Sequence, residues 1–505
     1  MTDDDFELIN NEPQESKSTT NAWKFDRLAD GIFADLAAKG QYPLYHKGAF
    51  YTWDGCRYVE ENELEGIIRK WLRSNNKPQA NITVGNVDPI VRSLAQRLTS
   101  QYGNLPFYVG AEPFPTPSNV IAYSNGLLDV GAYLHEDVSL IPHTPKWIST
   151  TCLPYKFEPD AKCPQWETFL DEVYEGRADK IAVLQEWFGY CLTADMSQHR
   201  VMFLTGMIRS GKGTIQRILE SLVGMENAAA GYDLNYLTKD YGLASLNSKL
   251  VATVGELELN KNFKRQNIQM LNAIVGCDAV EIHRKFKDAQ SGVKLNVRFT
   301  IACNDLPTYV DASGALTTRM LVLDHQTSFA NRMDIHLEGR LRTELSGINN
   351  WALKGLAQVR LNGRFSESAE MIDKRQEYRS DNADTLAFVQ ESLTVEASLN
   401  PGTLYGVRLT DKPVSVHADK LQAAYALWCL EQHRGEQGDK GGWLGRNLKS
   451  IIPKMKYDKK RRLYCGIGLA ALDGEASPPS DPPHKPSLAV VEMTAEQFQK
   501  DLAAM

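Results

Sequence analysis

The sequence has no apolar run approaching the roughly 20 residues that a membrane-spanning helix needs. It opens on Asp3, Asp4 and Asp5 instead of a basic stretch followed by an apolar one, so it shows no sign of a secretion leader. The two absences predict a cytoplasmic protein with no membrane partner. Cysteine is sparse: eight in 505 residues, with no C-x-x-C pair, and Cys152 and Cys163 are the nearest two. Zinc needs closely spaced thiolates and imidazoles. A zinc-binding primase module is therefore not expected, and buried reduced thiols are. Basic charge is not in excess either, since the net charge is −7. That argues against a protein coated in positive charge, although a ring can keep a basic channel inside an acidic exterior. No internal repeat is present.

What is there divides by pattern. Residues 1–22 are polar and aperiodic, which predicts disorder. From 23 to 160 the pattern is mixed α/β. Alternation from Ala49 to Val59 around Asp54-Gly55 predicts a hairpin. Helical spacing covers Leu64 to Leu72 and Pro89 to Tyr102, with Asp88 as the expected cap. Residues 161–197 read as a helical linker or oligomerisation segment, with Trp166, Phe169, Leu170 and Val173 on one face and a second helix from Ile181 to Leu192. Within 198–375, short apolar runs (Val201–Leu204, Leu250–Val254, Val297–Ala302, Met320–Leu323) alternate with helical stretches such as Ile215–Val223 and Asn262–Val275. That alternation predicts a mainly parallel sheet covered by helices. Residues 376–470 offer two helices, Asp419–His433 and Trp443–Ile452, and a strand at Leu463–Gly468, a winged-helix-like pattern. Residues 471–505 begin as a linker with five prolines between Asp473 and Ser487 and end in a short helix capped by Thr494 with Gln497.

The most informative segment runs from Val201 to Thr214: strand, then G-x-x-x-x-G-K-G-T, then helix. Gly206 and Gly211 let the backbone curl until its N–H groups converge on phosphate oxygens, with Ser210 and Gly213 in the same loop. The helix adds its positive end, and Lys212 places a cation near the β- and γ-phosphates. ATP with Mg²⁺ is the expected ligand. The residue after the lysine, normally a metal-binding hydroxyl, is Gly213. Thr214 follows, so which hydroxyl meets the metal stays open. G-K-G-T also occurs in nucleoside monophosphate kinases, whose loop opens a compact domain; here about 200 residues precede it.

A nucleotide hydrolase needs an acid at the end of a neighbouring buried strand. Glu256, after Leu250–Val254, is the candidate base and metal-side carboxylate, with Glu258 second. Asn304, at the end of the next strand, can hold water or sense a phosphate. Arg319, ahead of the strand from Met320, is either a finger reaching a neighbouring subunit or a plain surface arginine.

In this order the motifs resemble superfamily 3 helicases, and more closely the phage/plasmid primase-helicase family related to the poxvirus nucleoside triphosphatase. Ile121–Val130 resembles the family's "nGvld" stretch and Pro145–Trp166 the segment that follows it. Leu184–Leu192 is similar to the helix leading into the loop, Tyr241–Leu246 to the segment before the acidic strand, and Leu271–Lys287 to the family's basic motif. Asn304-Asp-Leu-Pro307, Ala315–Met320 and Asn350-Trp-Ala352 resemble its sensor, arginine-finger and closing segments.

The resemblance implies a P-loop AAA+-like superfamily 3 core and a hexameric ring moving on single-stranded DNA, typically 3′ to 5′. It also implies roles for Lys212, Thr214, Glu256, Asn304 and Arg319 in catalysis. The chain departs from the pattern at Gly213, at Gly255-Glu256 where paired acids are usual, and at Thr318 where a first arginine is usual. With the helicase-associated region starting near residue 25, no primase activity is expected; a separate primase or replication protein is a candidate partner for the C-terminal tail.

Two segments are the expected DNA contacts. His283, Arg284, Lys285, Phe286 and Lys287, leading to a polar tip at Asp288–Gly292, resemble the hairpin that such rings point into their channel. Lys454, Lys456, Lys459, Lys460, Arg461 and Arg462 would lie along DNA backbone, including origin duplex, in a winged helix. Either could instead be a solvated charged face. A helicase is the first reading, and an origin-binding or loading ATPase the second.

Overall fold

The computed structural model describes residues 22–75, 84–99, 103–255, 265–285, 287–304, 306, 315–332, 334–399, 407–432, 443–452 and 454–470. The expected N-terminal disorder up to residue 21, the proline-rich linker and the tail helix lie outside them. Of the described residues, those up to Phe388 together with 443–454 form one compact unit, and those from Val389 to 432 with 455–470 form a second. No described helix is long and apolar enough to cross a membrane.

The first unit opens with helix α1 (Ala22–Ala38). The meander β1 (Pro43–His46), β2 (Ala49–Trp53) and β3 (Tyr58–Glu60) follows, then α2 (Leu64–Ser74) and α3 (Val84–Leu98). The β2–β3 turn is the predicted Asp54-Gly55 hairpin: the Asp54 carboxylate accepts from the backbone N–H of Cys56 and Arg57, both at 2.9 Å. Helix α3 starts before the expected Asp88 cap, leaving Pro89 inside it. Burial of Val87, Ile90, Leu94 and Leu98 against α1 and α2 outweighs the hydrogen bond that the proline forgoes.

Short strands β4 (Phe107–Tyr108), β5 (Val120–Tyr123), β6 (Gly126–Asp129), β7 (Leu140–Ile141) and β8 (Trp147–Ile148) continue the module, with a one-turn helix α4 (Val130–Tyr133) after β6. Tyr58 N–H donates to Ser149 O at 2.7 Å and draws the β2–β3 turn against the segment after β8. There Cys56 and Cys152 form a disulfide, which corrects the expectation of eight reduced thiols. A separation of 96 residues hides that pairing from the sequence.

Helices α5 (Pro164–Tyr174) and α6 (Ala178–Cys191) lead to the central sheet. Its strands are β9 (Val201–Gly206), β10 (Ala228–Ala229), β11 (Val251–Val254), β14 (Arg298–Ala302) and β15 (Met320–His325). All pairings are parallel, in the order β10-β11-β14-β9-β15, as the sequence pattern predicts for an α/β fold. A parallel sheet covered on both faces has no polar side, which is why its strands read as unbroken apolar runs. Helix α7 (Lys212–Val223) follows β9, and α8 (Arg265–Val275) precedes the hairpin of β12 (Val280–Arg284) and β13 (Lys287–Val293). Helix α9 (Ala315–Arg319) runs into β15. After α10 (Leu337–Arg342), α11 (Leu345–Asn362) packs along α6. Trp166, Phe188 and Trp351 join α5, α6 and α11 with ring centroids 5.4–5.7 Å apart, and Trp187 Nε1 donates to Thr300 Oγ1 at 2.9 Å, fastening α6 to β14.

In the second unit, β16 (Leu393–Glu396) pairs with β17 (Arg408–Thr410) and β21 (Ile467–Leu469). Strand β18 (Ser415–His417) pairs with β20 (Leu463–Cys465), which pairs with β19 (Lys456–Asp458), and helix α12 (Ala418–Glu431) follows β18. The single strand expected over Leu463–Gly468 is two, because Gly466 at φ +95° breaks it.

Candidate functional site

Strand β9 ends at Gly206, where the chain turns toward α7. Gly206 has φ +113°, and a Cβ there would lie 2.1 Å from the His325 carbonyl oxygen. Only glycine permits that approach, which lets β15 brace the loop: Met207 N–H donates to His325 O at 3.1 Å. The loop's far side is braced by the segment after β15, through Phe329 N–H to Arg209 O (2.8 Å) and Ser328 Oγ to Ile208 O (3.0 Å). Gly211, at φ +91°, stands at the head of α7 against Val173 and Phe169 of α5.

Lys212 is buried, and its ammonium lies 2.7 Å from Gly206 O, 2.6 Å from Met207 O, 3.4 Å from Ser210 Oγ and 3.5 Å from Asn304 Oδ1. Sequence-distant Asn304 therefore meets the loop, and Gly206 N–H donates to its carbonyl at 3.0 Å. Ser210, Gly211, Lys212, Gly213 and Thr214 line a cleft of about 810 Å³, which Pro164, Thr168 and Phe169 of α5 and Phe329, Ile335 and Leu337 also line. A cleft of that size, lined by apolar side chains and by Arg209, Lys212, Arg217, Arg332 and Arg340, suits a nucleoside triphosphate. Gly255 also lines it; Glu256 and Glu258 lie outside the described residues.

Two buried groups escape sequence reading. Gln216 donates to Val254 O (2.8 Å) and Thr300 O (2.9 Å), so it ties the end of β11 and the middle of β14 to the loop helix. The signal was its place one helical turn after Lys212, on the same face. His325 sits wholly buried below the loop. Its Nδ1 meets Thr205 O and Leu323 O, each at 3.2 Å, and its Nε2 meets the Tyr174 hydroxyl at 3.1 Å. Nδ1, facing carbonyl oxygens, carries the proton, and Nε2 accepts from Tyr174.

Burial, with the Lys212 charge second, pushes the His325 imidazole down from 6.5 to about 4. Above pH 6.5 folded and unfolded chains both hold it neutral. As pH falls through the interval from 6.5 to 4, the unfolded chain gains a proton that the folded chain refuses. This one group should then remove about 1.4 kcal/mol of stability per pH unit. Urea unfolding at pH 7 and pH 5 should show a larger loss for the parent than for His325→Asn; equal losses would refute this role.

Arg319 does not reach the loop. It stands at the opposite end of β15, roughly 20 Å away along six strand residues. Its guanidinium donates to the main-chain and side-chain oxygens of Asn272 near the end of α8. Within one chain it is out of range of a nucleotide on the loop.

Of the hairpin residues, His283 and Lys285 are exposed. Phe286 lies outside the described residues, as does the Lys287 side chain. The turn falls between Arg284 and Lys287, so Asp288–Gly292 belongs to the returning strand and is not the tip. Arg284 is turned inward: its guanidinium donates to Gly48 O at 2.7 Å and lies 3.5 Å from the Glu60 carboxylate, committed to the N-terminal meander and not presented to DNA.

In the second unit Lys456, Lys459, Lys460, Arg461 and Arg462 are exposed on and around the β19–β20 turn, which Asp458 shapes by accepting from the N–H of Lys460 and Arg461. Arg462 also pairs with Asp419 at 2.6 Å. Lys454, in the first unit, is exposed.

Residues 33–175 match the family model described as D5 N terminal like. Residues 204–319 match a family of unknown function, DUF5906. No curated protein matches the chain. Among solved structures, the apo NrS-1 C terminal region is similar with a TM-score of 0.42 and 13% identity, over 90% of this chain and 100% of that one. Its A form apo structure gives 0.41 and 12%, over 86% and 98%. Neither family model covers half of the chain.

Proposed function

We propose that this chain is an ATP-driven DNA helicase of phage or mobile-element replication, working as a hexameric ring on single-stranded DNA. The observation that carries the proposal is the Lys212 ammonium. It is held between the loop carbonyls and Asn304 at the head of a cleft that fits a nucleoside triphosphate. In this reading loop N–H groups and Lys212 bind the phosphates, and Asn304 orients the attacking water. Glu256 takes its proton. Arg319, being out of reach of its own cleft, serves the nucleotide of the next subunit.

Mg²⁺ would be held by Thr214, which lines the cleft, and by Glu256, with phosphates and water completing an oxygen shell. Bound there, it neutralises phosphate charge. No group of three or more His, Cys, Asp or Glu placed to hold a metal ion occurs among the described residues, and magnesium bound mainly through phosphates needs none. His283, Lys285, Lys287 and the second unit's basic turn are the proposed DNA contacts. The tail is the proposed docking segment for a separate primase.

The test is ATP hydrolysis with and without single-stranded DNA. Hydrolysis should rise on adding DNA, and Arg319→Ala subunits mixed into parental ones should depress it more than dilution does. Hydrolysis indifferent to DNA would sink the motor and favour an ATPase that only assembles on an origin.

A further inference from the structure

The N-terminal meander and the chain around β13 border a cavity of about 60 Å³. It lies where the strands of the central sheet begin, at the edge opposite the glycine loop. Ala194 precedes β9, Leu250 precedes β11 and Asn296 precedes β14, and all three line it. This cavity and the nucleotide cleft share no lining residue.

The charge on the lining has one sign. Lys47, Lys249 and Lys294 contribute to it, and among the described residues no aspartate or glutamate does. The bonds these lysines make leave their charge in place. Lys47 Nζ donates to Asn104 Oδ1 at 2.5 Å and to Gly292 O at 2.6 Å, and Lys249 Nζ donates to Glu226 O, all of them neutral acceptors. Carboxylates of adjoining segments are engaged elsewhere, Glu226 with Arg57 and Glu60 with Arg284. Burial, then the neighbouring Lys294 charge, lowers the Lys47 ammonium from its ordinary value. Burial lowers Lys249 too, only partly offset by Glu226.

His46, Ser149 and Gln290 also line the cavity, and each is only 3% exposed. His46 Nδ1 has no hydrogen-bond partner among the described residues, although buried polar atoms normally have one. The turn that carries Lys47 is costly as well. Lys47 and Gly48 form the two-residue β1–β2 turn at φ +44° and +77°. Asparagine or glycine suits the first of these positions, and a lysine holds it under strain. Strain retained at a residue whose charge is uncompensated points to a use for that charge.

We propose that this cavity is an anion site, taking a small tetrahedral oxyanion, inorganic phosphate or sulfate, between Lys47, Lys249 and Lys294. Its volume admits a few water-sized groups and no nucleoside. The anion joins three segments whose like charges otherwise repel: the β1–β2 turn, the approach to β11 and the chain between β13 and β14. It thereby ties the base of the hairpin to the N-terminal meander.

The experiment is calorimetric titration of inorganic phosphate, and in parallel of sulfate, into the full chain and its Lys212→Ala variant at constant ionic strength. Phosphate should bind both, because the cavity does not involve the loop lysine. In the Lys212→Ala chain, Lys47→Asn and Lys294→Met should each weaken binding roughly 10- to 100-fold, the range for deleting one charged hydrogen bond. Lys294→Arg should bind as its parent does. Lys294 is exposed, so its replacement tests charge without touching the core, and asparagine suits the left-handed backbone at Lys47. Phosphate binding that vanishes in Lys212→Ala, or that survives unchanged in the Lys47→Asn, Lys294→Met double variant, would place the anion on the loop. That result would overturn the cavity site and leave the nucleotide reading standing. Displacement of phosphate by oligothymidine would overturn a free anion as the occupant. A parent that binds neither phosphate nor sulfate would overturn the site, while binding of a fluorescent ATP analogue reports separately on the loop.

Discussion

Replacing Lys212 with alanine should slow ATP hydrolysis on the order of 10²- to 10³-fold, the usual effect of deleting one preorganised charge aimed at a reacting phosphate. The geometry sets that expectation. The ammonium is buried among four oxygen partners at the head of α7, in a cleft lined by α5 and the segment after β15. In such surroundings a cation acts with far less screening than in solution. The same side chain spans the loop by bonding Gly206 O and Met207 O, so its loss also loosens the carbonyls that hold the loop's curve. Lys212→Arg is therefore the informative companion. It keeps the charge but cannot sit as a compact point among the same oxygens, so it should recover nucleotide binding better than turnover. Steady-state hydrolysis and binding of a fluorescent ATP analogue would be measured for both. Parental turnover in Lys212→Ala would remove the loop from the chemistry.

The largest effect on stability is expected where α6 crosses α11. A Cβ on Gly189 would lie 2.2 Å from Ala352 O and 2.6 Å from Leu356 N, and one on Gly355 would lie 2.3 Å from Gln185 C and O. The neighbours are main-chain atoms of two packed helices, and no rotamer change relieves them. Overpacking commonly costs 1–3 kcal/mol, and here Gly189→Ala or Gly355→Ala should cost about 3 kcal/mol or more, because the helices must part. Parting them would disturb the Trp166–Trp351 contact and the Trp187–Thr300 bond that fastens α6 to the sheet below the cleft. Because the two glycines share one crossing, the double variant should lose less than the sum of the singles. Urea unfolding would measure all three. A change within about 0.5 kcal/mol in either single variant, the range of an ordinary surface substitution, would contradict this close approach.

Sequence alone determined the parts whose physics is local. The glycine loop was legible because Gly206 and Gly211 take positive φ, which the spacing of the two glycines already signals. The parallel strands were legible because burial on both faces leaves no polar alternation, and the Asp54-Gly55 hairpin because its turn closes on its own carboxylate. The meeting of Asn304 with Lys212 followed from strand ends converging on one edge.

Tertiary structure decided what depends on partners distant in the chain. Arg284 read as a DNA contact from the charge around it, yet Gly48 and Glu60 claim it. The hairpin turns between Arg284 and Lys287, because register comes from pairing across strands and not from where polar residues gather. Cys56 met Cys152 only once the β2–β3 turn was drawn against the segment after β8. His325 became a buried neutral imidazole only because β15 lies beside β9, and Arg319 was put beyond its own cleft by the length of that same strand. A local pattern records what a residue is able to do, but which neighbour it does it with is settled by long-range packing, where one more bond to a distant carbonyl outweighs any preference readable along the chain.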